Sequence, residues 1–184
     1  MSTKPRRRVA LFVTCIVDQI YPNIGLAAAR LLEAQGCVVH VPRGLTCCGQ
    51  MGFNAGFHDE ARAVAGRTIE VLRGQGDVVL PSGSCAAMIK HLYHELFHGT
   101  PHQAAAEELI GRTYELTEYL VDVLGVSDLG ARYAGRIAYH DACHGLRFLG
   151  LRSQARTLRR ADRLSRCLPR PALSELAVAG AYLA

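Results

Sequence analysis

No stretch of the 184-residue sequence is apolar for the roughly 20 residues that a bilayer-spanning helix requires, so no membrane span is expected. The chain also lacks any C-x-x-C pair, the compact spacing by which ferredoxins and zinc fingers hold metal on short loops. It has no G-x-G-x-x-G turn, and no acidic residue ends the second expected strand to take a ribose hydroxyl, which argues against nicotinamide binding. A G-x-S-x-G elbow is missing too, so a Ser-His-Asp hydrolase is set aside, and Ser82-Gly83-Ser84 reads as a helix cap. What remains is an ordinary globular composition, 49% hydrophobic and 20% charged, too mixed for a disordered chain.

Charge gives little to a partner. The net +5 comes partly from Arg6, Arg7 and Arg8 and partly from Arg152, Arg156, Arg159, Arg160, Arg163, Arg166 and Arg170, and neither cluster is interleaved with aromatics. A solvated helix face and a basic tail account for them, and no nucleic-acid partner is expected. The leading arginines precede an apolar run from Val9 to Val17 that superficially resembles a signal peptide. That run is only nine residues long, Asp18 stops it, no small-x-small cleavage site follows, and Thr14 is unsuited to precede a lipidated cysteine. It reads as a buried strand.

Seven cysteines are present, an odd number, unevenly placed, with a vicinal pair at Cys47-Cys48. A secreted disulfide framework is disfavoured, and redox or metal chemistry in the reducing cytoplasm fits better. Short β-rich runs alternate with helical patterns over the first ninety residues, which predicts an α/β fold: a Rossmann-like parallel sheet flanked by helices. Strands are expected at Val9 to Thr14, Cys37 to Val41 and Asp77 to Leu80. Helical faces run through Ile24, Ala27, Ala28 and Leu31, stopped by Gly36, and through Ala61, Val64, Ala65, Thr68 and Leu72. Another helix should open near Cys85 with Ser84 as N-cap and bury Leu92, Tyr93, Leu96 and Phe97. Tyr114 to Leu124 reads as a helix closed by Gly125, Arg136 to Tyr139 as a strand, and Leu151 to Leu164 as a further helix.

In an open parallel sheet, ligands sit beyond the carboxyl ends of the strands. Cys15, Cys47, Cys48 and Cys85 all fall just after expected strands, so the sheet would gather four thiols at one rim, leaving Cys37 inside a strand and Cys167 in the tail. The intervals are 31 residues between Cys15 and Cys47 and 36 between Cys48 and Cys85. Such gaps need a folded sheet to close them. Soft thiolates suit iron, adjacent cysteines could let one sulfur bridge two metals, and a helix N-terminus would favour deprotonation of Cys85. Zinc held by the same four thiols, or thiol-disulfide exchange at Cys47-Cys48, are the alternatives.

Other residues invite a metal reading less strongly. His91, His94 and His98 share a helix face but lie opposite its apolar side, so they are expected to face solvent. His140 and His144 flank Cys143 and are better placed to tune a thiolate or cluster by hydrogen bonding. A thiol ends a strand twice, at Phe12-Val13-Thr14-Cys15 and at Tyr139-His140-Asp141-Ala142-Cys143, which suggests an internal duplication.

The phrases Phe12-Val13-Thr14-Cys15, Cys47-Cys48-Gly49-Gln50, Pro81-Ser82-Gly83-Ser84-Cys85 with Met88, Tyr114-Glu115-Leu116-Thr117 and His140-Asp141-Ala142-Cys143-His144 together carry a resemblance. Over residues 9 to 160 the chain resembles the cysteine-rich, or CCG, domain proteins. Within them it is most similar to the lactate utilization protein A family, related to the iron-sulfur subunits of glycolate oxidase and heterodisulfide reductase. The family motif is a cysteine, a long gap, Cys-Cys-Gly, a second long gap and a closing C-x-x-C; Met88 stands where the last cysteine would be.

The resemblance implies a cytoplasmic oxidoreductase subunit that transfers electrons through an iron-sulfur cluster, of 4Fe-4S type, alongside partner iron-sulfur subunits of a lactate or glycolate oxidation complex that turns L-lactate into pyruvate. Cys15, Cys47, Cys48 and Cys85 would hold the cluster, with Cys143 either completing that site or left as a remnant of a second one. The resemblance also implies two pseudo-repeated units, the first over residues 1–130 and the start of the second over 131–184. No second Cys-Cys-Gly follows Cys143, so the second unit is expected to be truncated, with a truncated or frame-shifted end from about Asp162.

Overall fold

The architecture comes from a computed structural model that describes residues 6–130 and 139–159. In chain order, β1 (Arg8–Leu11) leads through α1 (Cys15–Gln19) and α2 (Pro22–Ala34) to β2 (Val38–His40). Helices α3 (Gln50–Asn54) and α4 (His58–Leu72) precede β3 (Asp77–Leu80). Next come α5 (Gly83–Ala87), a π-helical turn (Met88–Leu92) and α6 (Tyr93–Phe97) in unbroken succession, then α7 (Gln103–Gly111) and β4 (Thr113–Glu115). Helix α8 (Leu116–Glu118) passes into a second π-helical turn (Tyr119–Val123), and α9 (Cys143–Arg147) and α10 (Gln154–Arg159) follow. Among the described residues no helix is long and apolar enough to cross a membrane.

The four strands pair in the order β2-β1-β3-β4, all parallel, as the α/β expectation requires. Alternation along the strands builds a core on each face. Ala10, Phe12, Val78 and Leu80 face α4 to α7, packing with Ala65, Ile69, Tyr93 and Phe97. Val9, Leu11 and Val79 face the other way, onto Ala28 and Leu32 of α2 and Tyr119 and Leu120 beyond α8. Because both faces are covered, the sheet leaves only its strand ends for ligands. The order reverses between β1 and β3, the switch point where the outgoing loops diverge and open a crevice.

Several boundaries differ from the sequence expectation for local reasons. The first strand stops at Leu11 instead of Thr14, because Thr14 turns the chain into α1 as its N-cap. The second begins at Val38, not Cys37. Gly36 takes a positive φ of 83° and closes α2 with its N–H on Glu33 O, while the Cys37 N–H bonds Leu32 O, so Cys37 belongs to the helix cap. Ser82, not Ser84, caps α5: its Oγ accepts from Cys85 N at 3.3 Å, and Ser84 lies within the helix.

The expected helix over Tyr114 to Leu124 starts late, because residues 113–115 pair with β3 as a fourth strand. Its helix begins at Leu116, capped by Glu115 in a reciprocal box with Glu118. Helix α7 had no counterpart in the sequence reading, and the last helix starts at Gln154 in place of Leu151. Residues 136–138 of the strand expected at Arg136 to Tyr139, the end of the helix expected to reach Leu164, and Cys167 lie outside the described residues.

Candidate functional site

Three strands deliver four cysteines to one rim. Cys15 opens α1 after β1, Cys47-Cys48 fill the turn between β2 and α3, and Cys85 sits in the first turn of α5 after β3. The Sγ atoms of Cys15 and Cys47 stand 3.8 Å apart, although 32 positions separate them in the chain. Cys47 and Cys85 are the neighbours that most influence the buried Cys48 thiol. All four are free thiols; Cys48 and Cys85 are buried, and Cys15 and Cys47 are partly exposed. Among the described residues, no three His, Cys, Asp or Glu side chains are arranged to hold a single ion as they stand.

The Cys47-Cys48 turn is held by backbone and side-chain contacts from three helices. Gly49 has a φ of 88°, and a Cβ there would stand 2.9 Å from the Ala61 carbonyl of α4, so both conformation and space demand glycine. Thr68 Oγ1 donates to the Cys47 carbonyl at 2.9 Å, and the buried Tyr93 Oη donates to the Cys48 carbonyl at 2.9 Å. Gln50, the first residue of α3, donates its side-chain amide to the Ser84 carbonyl at 3.2 Å and meets His144 Nε2 at 3.3 Å. Sequence reading placed Thr68 and Tyr93 only as core positions and gave Gln50 no role. The usable signal was a threonine and a tyrosine on otherwise apolar helix faces, where a buried hydroxyl needs a partner.

Proximity divides the four thiols into donors and acceptors of hydrogen bonds. Cys47 is lowered to about 5, chiefly because the Cys48 thiol bonds it, with further help from Gly49 N–H at 3.4 Å and from Cys15. Cys85 is also held below the ordinary thiol value, first by Cys48 and then by the Ser82 and Ser84 hydroxyls. The neighbouring thiol and the hydroxyls of this turn thus favour the Cys85 thiolate. Their partners move oppositely. Burial and Cys47 push Cys15 up to about 11, and Cys48 is raised well above its usual value by bonding to Cys47 and Cys85 and by burial. Cys47 and Cys85 are thus the rim thiols biased toward the thiolate, and Cys15 and Cys48 those biased toward the thiol.

The chemistry of this donor set fits a thiophilic metal or cluster, since soft sulfur ligands lie close together and the Cys47 thiol, lowered to about 5, already favours the thiolate that ligation needs. Two buried polar atoms beside the cysteines have no partner among the described residues, Thr14 Oγ1 and His144 Nδ1. Met88 is fully buried in the core at the start of the π-helical turn, so the position of a possible fifth ligand is occupied by packing.

Cys143 is exposed at the first position of α9. Its helix nevertheless packs on α5, close enough that a Cβ on Gly83 would lie 3.5 Å from the Gly145 backbone. The segment is fixed from behind by Arg156 of α10, which grips both Asp141 carboxylate oxygens at 2.7 and 2.6 Å and lies 5.2 Å over the Tyr139 ring. At least this arginine does more than solvate a helix. His140 is exposed, and so are His91, His94 and His98; His94 bonds Glu107.

Residues 9–90, which include all four rim cysteines, match the cysteine-rich domain family CCG. The chain is 47% identical over 146 residues to lactate utilization protein A of Geobacillus kaustophilus (strain HTA426), covering 79% of this chain and 61% of that protein. It is 43% identical over 148 residues to the protein of the same name from Bacillus subtilis (strain 168), covering 80% and 62%. For that of Shouchella clausii (strain KSM-K16) the identity is 47% over 142 residues, covering 77% and 59%. The match thus spans about three fifths of the length of these curated relatives. Residues 9–90 are a cysteine-rich domain of the CCG family, and the chain is a homologue of the proteins named lactate utilization protein A.

Proposed function

We propose that this protein binds an iron-sulfur cluster at the rim formed by Cys15, Cys47, Cys48 and Cys85 and serves as an electron-transfer subunit in L-lactate oxidation, acting with partner iron-sulfur proteins. The observation that carries the reading is the convergence of four sulfurs from three strand ends, with Cys15 and Cys47 at 3.8 Å. The cluster, of 4Fe-4S type on the family resemblance, would supply one-electron transfer. The chain would supply sulfur ligands of which Cys47 and Cys85 are shifted toward the thiolate, a turn immobilised by Thr68, Gly49 and Tyr93, and burial that keeps water from Cys48 and Cys85. Residues 131–184 would begin a second unit of the same kind, whose Cys143 helix packs against the first. The names of the relatives support the lactate pathway and a role alongside other proteins.

Anaerobic purification, followed by iron and acid-labile sulfide analysis and EPR of the reduced protein, tests the proposal. Iron and sulfide in stoichiometric amounts, lost in Cys47→Ser and Cys85→Ser variants but retained in Cys37→Ser, are expected. Colourless protein that takes up neither after reconstitution rejects it. A second reading, a structural zinc site on the same thiols, is favoured by Met88, whose burial in the core leaves four sulfurs, the number zinc needs. Stoichiometric zinc without sulfide would establish that reading instead.

A further inference from the structure

The side chain of Gln50 fixes the state of His144. The Ser84 carbonyl can only accept, so the Gln50 atom 3.2 Å from it must be the amide nitrogen. That same nitrogen stands 3.3 Å from His144 Nε2. A donor facing Nε2 makes Nε2 an acceptor, and a neutral imidazole then carries its proton on Nδ1. Yet His144 Nδ1 is buried and has no partner among the described residues. An N–H shut away from water without an acceptor bears its whole desolvation cost, so an acceptor belongs at that place.

The ring is held where the segments bearing the cysteines meet. Gln50 follows Cys47-Cys48-Gly49, Ser84 precedes Cys85, and His144 follows Cys143, so one amide ties three cysteine segments together. Phe148 stacks on the imidazole at 5.4 Å between centroids and closes one face of it. We infer that His144 is a positioning residue of the cluster site whose Nδ1–H donates to a sulfur of the bound cluster, thiolate or sulfide, with Gln50 setting the tautomer. The inference rests on the cluster reading proposed above. A hydrogen bond to sulfur stabilises the more reduced, more negative state, so His144 raises the midpoint potential of the site.

Two substitutions separate the two ring nitrogens. His144→Asn keeps a donor near the Nδ1 position and gives up the contact with Gln50; His144→Gln keeps a partner for Gln50 and gives up the Nδ1 donor. Each protein is reconstituted anaerobically with ferrous iron and sulfide, its iron and sulfide content measured, and its midpoint potential taken by EPR-monitored titration. The expected result is equal loading of all three, a wild-type potential for His144→Asn and a lower one for His144→Gln. In metal-free wild-type protein, the imidazole nitrogen spectrum of His144 should show the proton on Nδ1.

Equal potentials in wild type and His144→Gln at equal loading, a shift in His144→Asn as large as in His144→Gln, or a proton on Nε2 would overturn the inference while leaving the cluster intact. Wild-type protein that takes up no iron or sulfide would overturn the cluster reading and this inference with it.

Discussion

Glu115 ends β4, is 3% exposed, and caps α8 with a carboxylate oxygen that accepts from Thr117 N at 2.7 Å, Thr117 Oγ1 at 2.5 Å and Glu118 N at 3.2 Å. Burial opposes the charge while these bonds favour it, and burial prevails, raising the carboxyl from 4.5 to about 7. Between those values the folded state keeps a proton that the unfolded chain has lost. The contribution to stability is therefore fully present below pH 4.5 and gone above about 7. At about 1.4 kcal/mol per pH unit, the whole span is worth about 3 kcal/mol.

Other carboxylates titrate in the same range, so the observable is the difference between wild type and Glu115→Gln. The variant cannot ionise but offers a carbonyl to the same cap. Urea unfolding of reduced, metal-free protein, followed by circular dichroism from pH 4.5 to 7.5, should show the variant gaining about 3 kcal/mol on wild type as pH rises. A difference that stays constant, or that moves in favour of wild type, would mean that the cap bonds outweigh desolvation, and the reasoning fails.

Gly49→Ala should cost about 2–4 kcal/mol, from the positive φ and the 2.9 Å approach to the Ala61 carbonyl, and a loss below about 0.5 kcal/mol in urea unfolding would show that the turn can relax. Tyr93→Phe should lose about 1–3 kcal/mol by stranding the buried Cys48 carbonyl, measured in the same way; a neutral change would mean another donor replaces the hydroxyl. Metal-free protein exposed to oxidised glutathione should form a Cys15–Cys47 disulfide, two protein thiols being oxidised as one glutathione disulfide is reduced to two thiols. Peptide mapping that finds Cys47 joined to Cys48, or no cross-link, would contradict the pairing read from the 3.8 Å contact.

The α/β class and the third strand, Asp77–Leu80, were legible in the sequence, because they follow from local alternation of apolar residues and from turn residues at strand ends. So was the placement of four cysteines just beyond strands, a matter of counting along the chain. Strand β4 was hidden: Thr-Tyr-Glu before a capped helix is too short to signal a strand, and only its pairing with Leu80 and its neighbours makes it one. Gln50 was hidden for a related reason, since its partners, Ser84 and His144, lie 34 and 94 positions away.

By itself, then, the sequence determined which residues could carry the chemistry: soft thiols at strand ends, a glycine after the Cys-Cys pair, and a cysteine flanked by histidines. Only the tertiary structure decided which of them act together. It set Cys15 against Cys47, left Cys143 exposed on a neighbouring helix, and buried Met88 in the core. The reason is physical: hydrogen-bond partnership and charge sharing depend on distances of a few ångströms, and those distances are fixed by sheet order and helix packing between segments far apart in the chain.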